Sequence, residues 1–553
     1  MSPKITLKLT LWVHHTSLIL LRQHINMRYA TNQIRPFCSC MLFIYNRGES
    51  GSGKSESTRM IIRHLCDLSK TSKKKTKLHS TILKVDSILC AFGNATTPFN
   101  SDATCVTRFS EIQFQKGKMV GLKTIHHLLD TSRISGIGSD GGFCFHIIYY
   151  LLDGATSDER AQLNLLDAAH FQYLNHTKLR TASFAQKNGV AQMETLRANL
   201  KTLGIGRRMQ RQIWQVLAAV LHIGNITFQA SKKAGEPCTI KNTSQLQLVA
   251  NMLGVTPQSL QSVLTCRLRY IGRDAVSGYL DAAAAAQQRD VFARNLYNVL
   301  FSWVVEQINL KLCAAESAWE SAIDLMEVPG FAGTESGGNT FYRLLMNYSN
   351  ERILSHVFND ISDLGNVRLE VQGLPAYANL YESNNSTIAL LSGPKNAILN
   401  IMDMETARGN SDEKMTSLFY TAHIESNPKF IAASSKKMAY SFGIRHYGGI
   451  VDYDDRGFTE MNRDVLQASF VTLIRGSPEE KGTSKTFIRN LFSDKLIATR
   501  NDRDGKNVMS ASNRSRFPSL RRRRTTTSNS RMDEDDEEVL DVSTTVSHNV
   551  SFY

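Results

Sequence analysis

The stretch MLFIYNRGESGSGKS, residues 41–55, decides the fold of this 553-residue chain. It begins with a short apolar run at residues 41–45, and a glycine-rich turn follows that run directly. Beyond the turn, Ile61, Leu65 and Leu68 recur at helical spacing. The order of these patterns predicts a strand, a loop and a helix.

Residues 48–55 fit the pattern G-x-x-x-x-G-K-[ST], with a strand before it and a helix after it, as this pattern requires. Glycines let successive backbone N–H groups turn toward an anion at the positive end of the helix. Lys54 supplies a point charge for the outer phosphates, and Ser55 supplies a hydroxyl for Mg²⁺. A chance glycine turn is the alternative. We predict that a nucleotide binds through Gly48, Glu49, Ser50, Gly51, Ser52, Gly53, Lys54 and Ser55.

The composition indicates a large globular protein with an excess of basic side chains. Hydrophobic residues make up 42% and charged residues 21%, and Lys+Arg 65 against Asp+Glu 50 gives a net charge of +15. A chain of this length buries a sizeable core and has room for more than one folding unit. The charge suits nucleic acid, an anionic membrane surface or an acidic filament such as actin, and it does not choose among them.

Cysteine usage and hydropathy predict a cytoplasmic chain. The nine cysteines are an odd number without a repeated spacing, which does not suit a secreted disulfide framework. The most apolar early stretch, residues 5–21, is interrupted by Lys8, His14 and His15, and no other run approaches ~18 apolar residues. We therefore predict no membrane-spanning segment in this chain.

Three regions of the chain differ in pattern. Residues 1–40 show no clean period, so they stay unassigned. Residues 41–510 mix helical patterns with strands, notably at 111–114 and 119–122 around a Lys-Gly-Lys turn. Residues 511–553 hold an arginine run, a Thr/Ser run and an acidic run, which predict a disordered charged tail.

Two apolar stripes predict long buried helices. The first comprises Ile213, Val216, Leu217, Val220 and Leu221, and the second comprises Phe292, Leu296, Val299, Leu300 and Trp303. The alanine run at 282–286 also favours a helix. His126 and His127, one turn before Asp130, could ligate a metal, but we interpret them as a polar helix surface because no third and fourth ligand lie nearby.

Eight segments in a consistent order give the chain a family resemblance. They are GESGSGKSE (48–56), SILCAFGN (87–94), FHIIYY (145–150), LHIGNI (221–226), EVPGF (327–331), NYSNER (347–352), HYGGIVDY (446–453) and GFTEMN (457–462). Together they resemble the P-loop motor heads of the myosin family. GLKT at 121–124, Pro329 and FIRNLF at 487–492 are similar to the divergent myosin heads fused to fungal chitin synthases.

The resemblance implies an α/β fold, a P-loop NTPase motor core with a central mixed sheet and large helical insertions over residues 41–510. It implies ATP and Mg²⁺ as cofactors, actin filaments as a partner with a chitin synthase or vesicle cargo as a further one, and a cytoplasmic, cytoskeleton-associated location without nucleic acid. Strands before residue 41 and a converter and lever after residue 500 belong to the same pattern, and the sequence shows none of them. A non-enzymatic, nucleotide-binding actin tether is the alternative function.

The switch I segment departs from the family pattern N-x-x-S-R-F-G, whose serine binds Mg²⁺ and whose arginine pairs with a switch II glutamate. Ungapped alignment puts Thr104 on the serine, as a second Mg²⁺ ligand beside Ser55, and puts Cys105 on the arginine. A three-residue slip instead places TRFS, residues 107–110, on S-R-F-G and makes Arg108 the candidate arginine. Both registers stay open at this point.

The switch II segment departs from the family pattern D-x-x-G-F-E. It reads EVPGFA, so the carboxylate of Glu327 stands one methylene farther out and Ala332 replaces the glutamate that would pair with the arginine. By resemblance, Glu327, Gly330 and Arg108 are the candidate catalytic residues. These departures predict weak or absent ATP hydrolysis, because phosphoryl transfer depends on positioned groups rather than on covalent chemistry.

Overall fold

A computed structural model gives the architecture. It describes residues 17–23, 41–69, 76–98, 100–136, 142–174, 189–231, 236–271, 274–331, 340–373, 383–432, 440–463, 466–477 and 481–493. The strands within these ranges are β1 (Ser17–Gln23), β2 (Met41–Arg47), β3 (Asn94–Ala95), β4 (Ala103–Thr104), β5 (Thr107–Gln115), β6 (Lys118–His127), β7 (Phe228–Gln229), β8 (Thr239–Ile240), β9 (Cys266–Ile271), β10 (Asp274–Tyr279), β11 (Ser321–Glu327), β12 (Phe430–Ala432), β13 (Ser441–His446) and β14 (Gly449–Asp454).

Helices account for most of the remaining described residues. They are α1 (Lys54–Leu68), α2 (Lys77–Gly93), α3 (Ser132–Ser135), α4 (His146–Gly154), α5 (Ser157–Gln162), α6 (Gly189–Thr202), α7 (Arg207–Gly224), α8 (Thr243–Leu253), α9 (Pro257–Thr265), α10 (Ala282–Leu312), α11 (Phe341–Val371), α12 (Asn385–Ser392), α13 (Ile398–Arg408), α14 (Asp412–His423), α15 (Phe458–Asn462), α16 (Ala468–Arg475) and α17 (Thr486–Leu491). Among them, no helix combines the length and the apolar character needed to cross a bilayer.

A five-stranded mixed sheet organises the part of the chain that carries the candidate site. Its strand order is β1-β2-β11-β5-β6. β2 and β11 run parallel, whereas β1 pairs antiparallel with β2, β5 with β11, and β6 with β5. Because β2 and β11 are parallel neighbours, the segments that follow them leave the sheet at the same edge.

Two faces of this sheet are covered by different groups of helices. The long helix α10 is buried along most of its length and packs against α7, β6 and α9. On the opposite face, Ile353 and Val357 of α11 pack against Tyr45 of β2 and Met326 of β11. A separate apolar cluster joins α11 to α12–α15 and to the small sheet β12-β13-β14. Helix α11 therefore links the central sheet to this second cluster.

Several sequence predictions are confirmed by the structure. The strand, loop and helix predicted around residues 41–68 are β2, the loop and α1. The predicted hairpin is β5 and β6, and Lys116 and Gly117 at its turn have φ of 50° and 72°. The two apolar stripes lie on α7 and α10, and α10 begins in the alanine run. The mixed α/β class is confirmed with them.

Two predictions are wrong. Residues before 41 were expected to lack a strand, yet β1 pairs with β2 along seven residues. The run SLILLRQ contains four consecutive apolar residues at 18–21, so no period of two marks it as a strand. His126 and His127 lie in β6 rather than on a helix, and the His126 ring packs edge-on against Phe301 of α10. The predicted disordered tail at 511–553 lies outside the described residues.

Asp324, in the middle of β11, should make the stability of the folded chain depend on pH. It is buried opposite Glu111, which in turn pairs in register with Lys123, and burial together with Glu111 raises the pKa of Asp324 to about 7. A raised carboxyl pKa costs stability that grows by about 1.4 kcal/mol per pH unit from the unfolded pKa up to the folded one. Stability should therefore fall as the pH rises from about 4 to about 7.

Asp324→Asn should flatten that fall and raise the free energy of unfolding by about 1 kcal/mol at pH 8, because the amide needs no ionisation but stays a buried polar group. Urea denaturation between pH 5 and pH 8 measures the slope. Asp158→Asn, on the exposed side of α5, is the control and should leave the slope unchanged. A lower stability for Asp324→Asn at every pH would show that Asp324 is held by a favourable partner.

Candidate functional site

The candidate site lies where β2 and β11 end and β5 begins. Glu327, the last residue of β11, pairs in register with Asn46 of β2 on one side and with Arg108 of β5 on the other. The side chain of Asn46 donates to Thr58 Oγ1 of α1 at 2.8 Å, which fixes the helix against the strand before the loop. The glycine-rich loop (residues 48–55) therefore leaves the sheet where Glu327 ends β11, and Ser55 at its end donates to the Glu327 carboxylate.

The glycine-rich loop adopts the backbone that its sequence requires. Gly51 and Gly53 have φ of 84° and 91°, in the left-handed region that favours glycine, and Gly53 is the N-cap of α1. Helix α1 begins directly after it, so its free N–H groups and the positive end of its dipole face the loop. The arrangement is that of an anion-binding loop at a helix N-terminus.

Lys54, the first residue of α1, is a buried cation at this loop. The residue is 7% exposed, and its Nζ donates to the carbonyl oxygen of Glu49 at 2.6 Å. Burial lowers the pKa of Lys54 to about 8, against the opposing charges of Glu327 and Glu49. A phosphate at the loop would give this ammonium a stronger partner than the carbonyl that it contacts here.

Gly330 allows the segment after β11 to approach the glycine-rich loop closely. A Cβ built on Gly330 would lie 2.4 Å from the backbone nitrogen of Ser50 and 2.6 Å from its Cα. Glu49 and Phe331 also form a parallel bridge between the two segments. Any side chain at position 330 would force these backbones apart.

Three oxygen-bearing side chains converge at the start of α1. Ser55 Oγ lies 3.2 Å from Thr104 Oγ1 and donates to Glu327 Oε1. Two hydroxyls and a carboxylate suit Mg²⁺, which prefers oxygen ligands and usually keeps several waters and phosphate oxygens in its shell. The residues present therefore fit Mg²⁺ held beside nucleotide phosphates. Among the described residues, no group of three or more His, Cys, Asp or Glu side chains offers another metal site.

Arg108 connects this cluster to a second carboxylate. Its Nη2 donates to Glu327 Oε2 at 2.5 Å, and its Nη1 donates to Asp86 Oδ1 of α2 at 3.0 Å. The guanidinium is nearly inaccessible to solvent, and although burial alone would favour its neutral form, Glu327 and Asp86 hold its pKa above the usual range. It is thus a buried cation held between two carboxylates.

Comparison with known proteins decides the family. The model of the myosin head (motor domain) family matches residues 40–549. The chain belongs to the myosin head family. The mixed sheet described above is accordingly the core of a P-loop NTPase motor head, as the sequence predicted.

Two fungal chitin synthases are similar to this myosin head. It is 31% identical over 500 residues to Chitin synthase 8 of Mycosarcoma maydis, covering 86% of this chain and 24% of that protein. It is 30% identical over 524 residues to Chitin synthase 5 of Cryptococcus neoformans var. grubii, covering 91% of this chain and 27% of that protein. The chain thus spans about a quarter of the length of these relatives. The divergent branch inferred from residues 121–124, 329 and 487–492 agrees with these matches.

Each candidate switch I residue of this myosin head has a defined place. Thr104 ends β4 beside Ser55, where the ungapped register puts a Mg²⁺ ligand. Cys105, which that register puts on the arginine, is buried and has its backbone bonded to Gly93 and Asp130. Arg108 nevertheless meets the switch II carboxylate from β5. Thr104 thus lies where the ungapped register would put it, whereas Arg108 makes the contact that the three-residue slip would give it.

Ala332 and Asp86 stand differently with respect to the sequence predictions. Ala332, expected to leave the switch arginine unpaired, lies outside the described residues. Asp86 was not predicted, although it is the second partner of Arg108. Its only signal in the sequence is an acidic residue within the largely apolar run ILKVDSILCAF of α2. The assignments of the catalytic, nucleotide and metal residues remain predictions.

Proposed function

We propose that this myosin head binds ATP with Mg²⁺ at the glycine-rich loop, contacts actin filaments, and hydrolyses ATP slowly or not at all. The observation that supports it most is the convergence of Lys54, Ser55, Thr104 and Glu327 at the edge where β2 and β11 end. These groups come from three separate parts of the sequence and match the needs of a bound triphosphate and its cation.

Each side chain has one task in this proposal. Lys54 turns from the Glu49 carbonyl to the outer phosphates, and the N–H groups at the start of α1 hold the inner ones. Ser55, Thr104 and Glu327 would hold Mg²⁺, whose charge neutralises the phosphate oxygens when it is bound. Gly330 lets the switch II segment lie directly against the glycine-rich loop, because a side chain there would collide with the backbone of Ser50.

Slow hydrolysis follows from how Glu327 is engaged. One carboxylate oxygen pairs with Arg108 and the other accepts from Ser55, so neither is directed at an attacking water. The loss of one preorganised group in such a site typically costs about 10² to 10³ in rate.

An actin tether that binds nucleotide without turnover is the second candidate function, and the same engagement of Glu327 favours it. The fungal chitin synthase relatives suggest a synthase or vesicle as the cargo.

Phosphate release with and without filamentous actin tests the proposal. We expect stoichiometric binding of Mg·ATP, release of phosphate at least about a hundredfold slower than in an active myosin head, and little acceleration by actin. Co-sedimentation with actin should weaken between 0.1 M and 1 M salt, where the Debye length falls from ~10 Å to ~3 Å. Strong actin activation would contradict slow hydrolysis, and actin binding that ignores both ATP and salt would contradict a motor-type contact.

A further inference from the structure

The charged side chains behind the candidate site, two of them buried and two partly exposed, form one chain of contacts that joins four elements. Arg59 of α1 donates from Nε to Asp86 Oδ2 of α2 at 2.6 Å. Asp86 Oδ1 accepts from Arg108 Nη1 of β5 at 3.0 Å, and Arg108 Nη2 donates to Glu327 Oε2 of β11 at 2.5 Å. Glu327 Oε1 accepts from the Ser55 hydroxyl. Asp86 therefore stands between two guanidinium groups.

Arg108 depends on Asp86 more than Arg59 does. Arg59 has further acidic neighbours, because Glu56 lies 3.1 Å and Asp102 lies 3.6 Å from its guanidinium nitrogens. Within the described residues, the ion pairs of Arg108 are those with Asp86 and Glu327, and only 5% of its side chain is exposed. Water cannot replace a lost partner of so buried a cation without rearrangement. The orientation of the Arg108 guanidinium is thus set by the carboxylates of Asp86 and Glu327.

We propose that Asp86 is a positioning residue for Glu327. By holding Nη1 of Arg108, it limits Arg108 to a single contact with Glu327 and leaves the other oxygen of Glu327 for Ser55 and the Mg²⁺ position. Without Asp86, both ends of the Arg108 fork are free to bind Glu327, since a guanidinium pairs with a carboxylate in a bidentate manner when geometry permits. Such a pair would withdraw Glu327 from Ser55. The inference rests on the proposed function, because that function assigns Glu327 to Mg²⁺.

A cavity beside these charged side chains allows the positioning role of Asp86 to be tested separately from its contribution to packing. It has a volume of about 600 Å³, and its lining includes Arg59, Asp86, Arg108 and Glu327. The Asp86 side chain is 24% exposed and borders this cavity, so a change of its carboxylate need not disturb the packed core. Asp86→Asn keeps the shape and removes the charge, and Asp86→Glu keeps the charge.

The test measures the coupling between Mg²⁺ and nucleotide rather than turnover. The dissociation constant of a fluorescent ATP analogue is determined with Mg²⁺ and with EDTA, and the ratio of the two reports what the metal site contributes. For Asp86→Asn we expect this ratio to fall about tenfold, the size of one hydrogen bond to a charged group, with affinity in EDTA unchanged or higher. Asp86→Glu should recover most of the ratio. A purely structural role would weaken both affinities together.

Two variants serve as matched controls. Arg59→Gln removes the other cation on Asp86 and should leave the ratio unchanged, because Arg108 keeps both of its partners. Asp290→Asn removes a carboxylate that is paired with Arg289 and bonded to Tyr173 away from the site, and it should also leave the ratio unchanged. Should Asp86→Asn fail to fold, Asp86→Ala in sodium formate decides, since the adjoining cavity admits formate as a replacement carboxylate.

The possible outcomes separate the two proposals. An unchanged ratio in Asp86→Asn, or equal weakening of both affinities, overturns the role of Asp86 while the proposed function stands. No restoration by formate in Asp86→Ala overturns it as well. Absence of Mg·nucleotide binding by the unmodified chain overturns the proposed function, and the role of Asp86 at that site falls with it.

Discussion

Alanine in place of Lys54 is expected to abolish the stabilisation that Mg·ATP gives the chain. A ligand at 100 times its dissociation constant raises the free energy of unfolding by about 2.7 kcal/mol. Lys54 carries a buried charge within the glycine-rich loop, bonded to the carbonyl of Glu49. Without it the outer phosphates lose their point-charge partner, so the increase in Tm on adding Mg·ATP should disappear.

The unliganded variant should not be less stable than the unmodified chain. The pKa of Lys54 is lowered from 10.5 to about 8 by burial, so its burial costs stability below about pH 8, and this cost vanishes as the pH rises through 10.5. Alanine removes that cost. For the unmodified chain, nucleotide affinity should decline as the pH rises through about 8, where the ammonium begins to lose its proton.

The control for this experiment is Lys201→Ala, an exposed lysine at the end of α6, which should keep the full ligand-induced shift. A Lys54→Ala variant whose Tm still rises with Mg·ATP would contradict the nucleotide assignment. The increase in Tm that Mg·ATP gives the unmodified chain can also be measured at several pH values. Its dependence on pH is a second, independent test of the role of the Lys54 ammonium group.

The glycine-rich loop could be predicted from sequence because all of its determinants are local. The apolar strand, the glycines, Lys54 and the helical stripe lie within residues 41–68, and each sets the backbone of its own neighbourhood. The hairpin of β5 and β6 was predictable for the same reason. Such patterns need no information on what lies across the sheet.

The pairing of Arg108 could not be predicted in this way. Arg108 and Glu327 are 219 residues apart, and they meet only because β11 lies between β2 and β5 in the sheet. A motif alignment compares residues by position in the sequence, so it had to choose between Cys105 and Arg108 for one role. The fold separates the roles instead, with Thr104 near Ser55 and Arg108 on Glu327.

Strand β1 and the histidines of β6 were missed for a related reason. Strand β1 shows no alternation of apolar and polar residues. Only its pairing with β2 identifies it as a strand. His126 and His127 look like a polar pair in the sequence, but the His126 ring packs against Phe301, and loss of solvent around the ring lowers its pKa to about 4. Tertiary partners, rather than local preference, determine both elements.

Methionine in place of Arg108 is expected to cause the largest loss of stability among the substitutions considered. It keeps most of the side-chain length but leaves Glu327 buried and Asp86 with Arg59 alone. Removing one partner of a buried ion pair typically costs about 3 to 5 kcal/mol, because the remaining charge is neither solvated nor compensated. Urea denaturation at pH 7 measures this loss as a lower midpoint.

The effect of Arg108→Met should shrink in acid. Burial alone would raise the pKa of Asp86, but Arg108 and Arg59 together hold it below its usual range, so the stability gained from this pairing is present at neutral pH and is lost as the pH falls through that pKa. The control is Arg456→Met, which breaks an exposed pair with Asp454 and should cost at most about 1 kcal/mol at any pH. Adding Glu327→Gln to Arg108→Met should recover part of the loss, because it removes the unmatched charge. A loss for Arg108→Met no larger than that of Arg456→Met would mean that the buried carboxylates find other partners, and the network would not be what holds β5, β11 and α2 together at this edge.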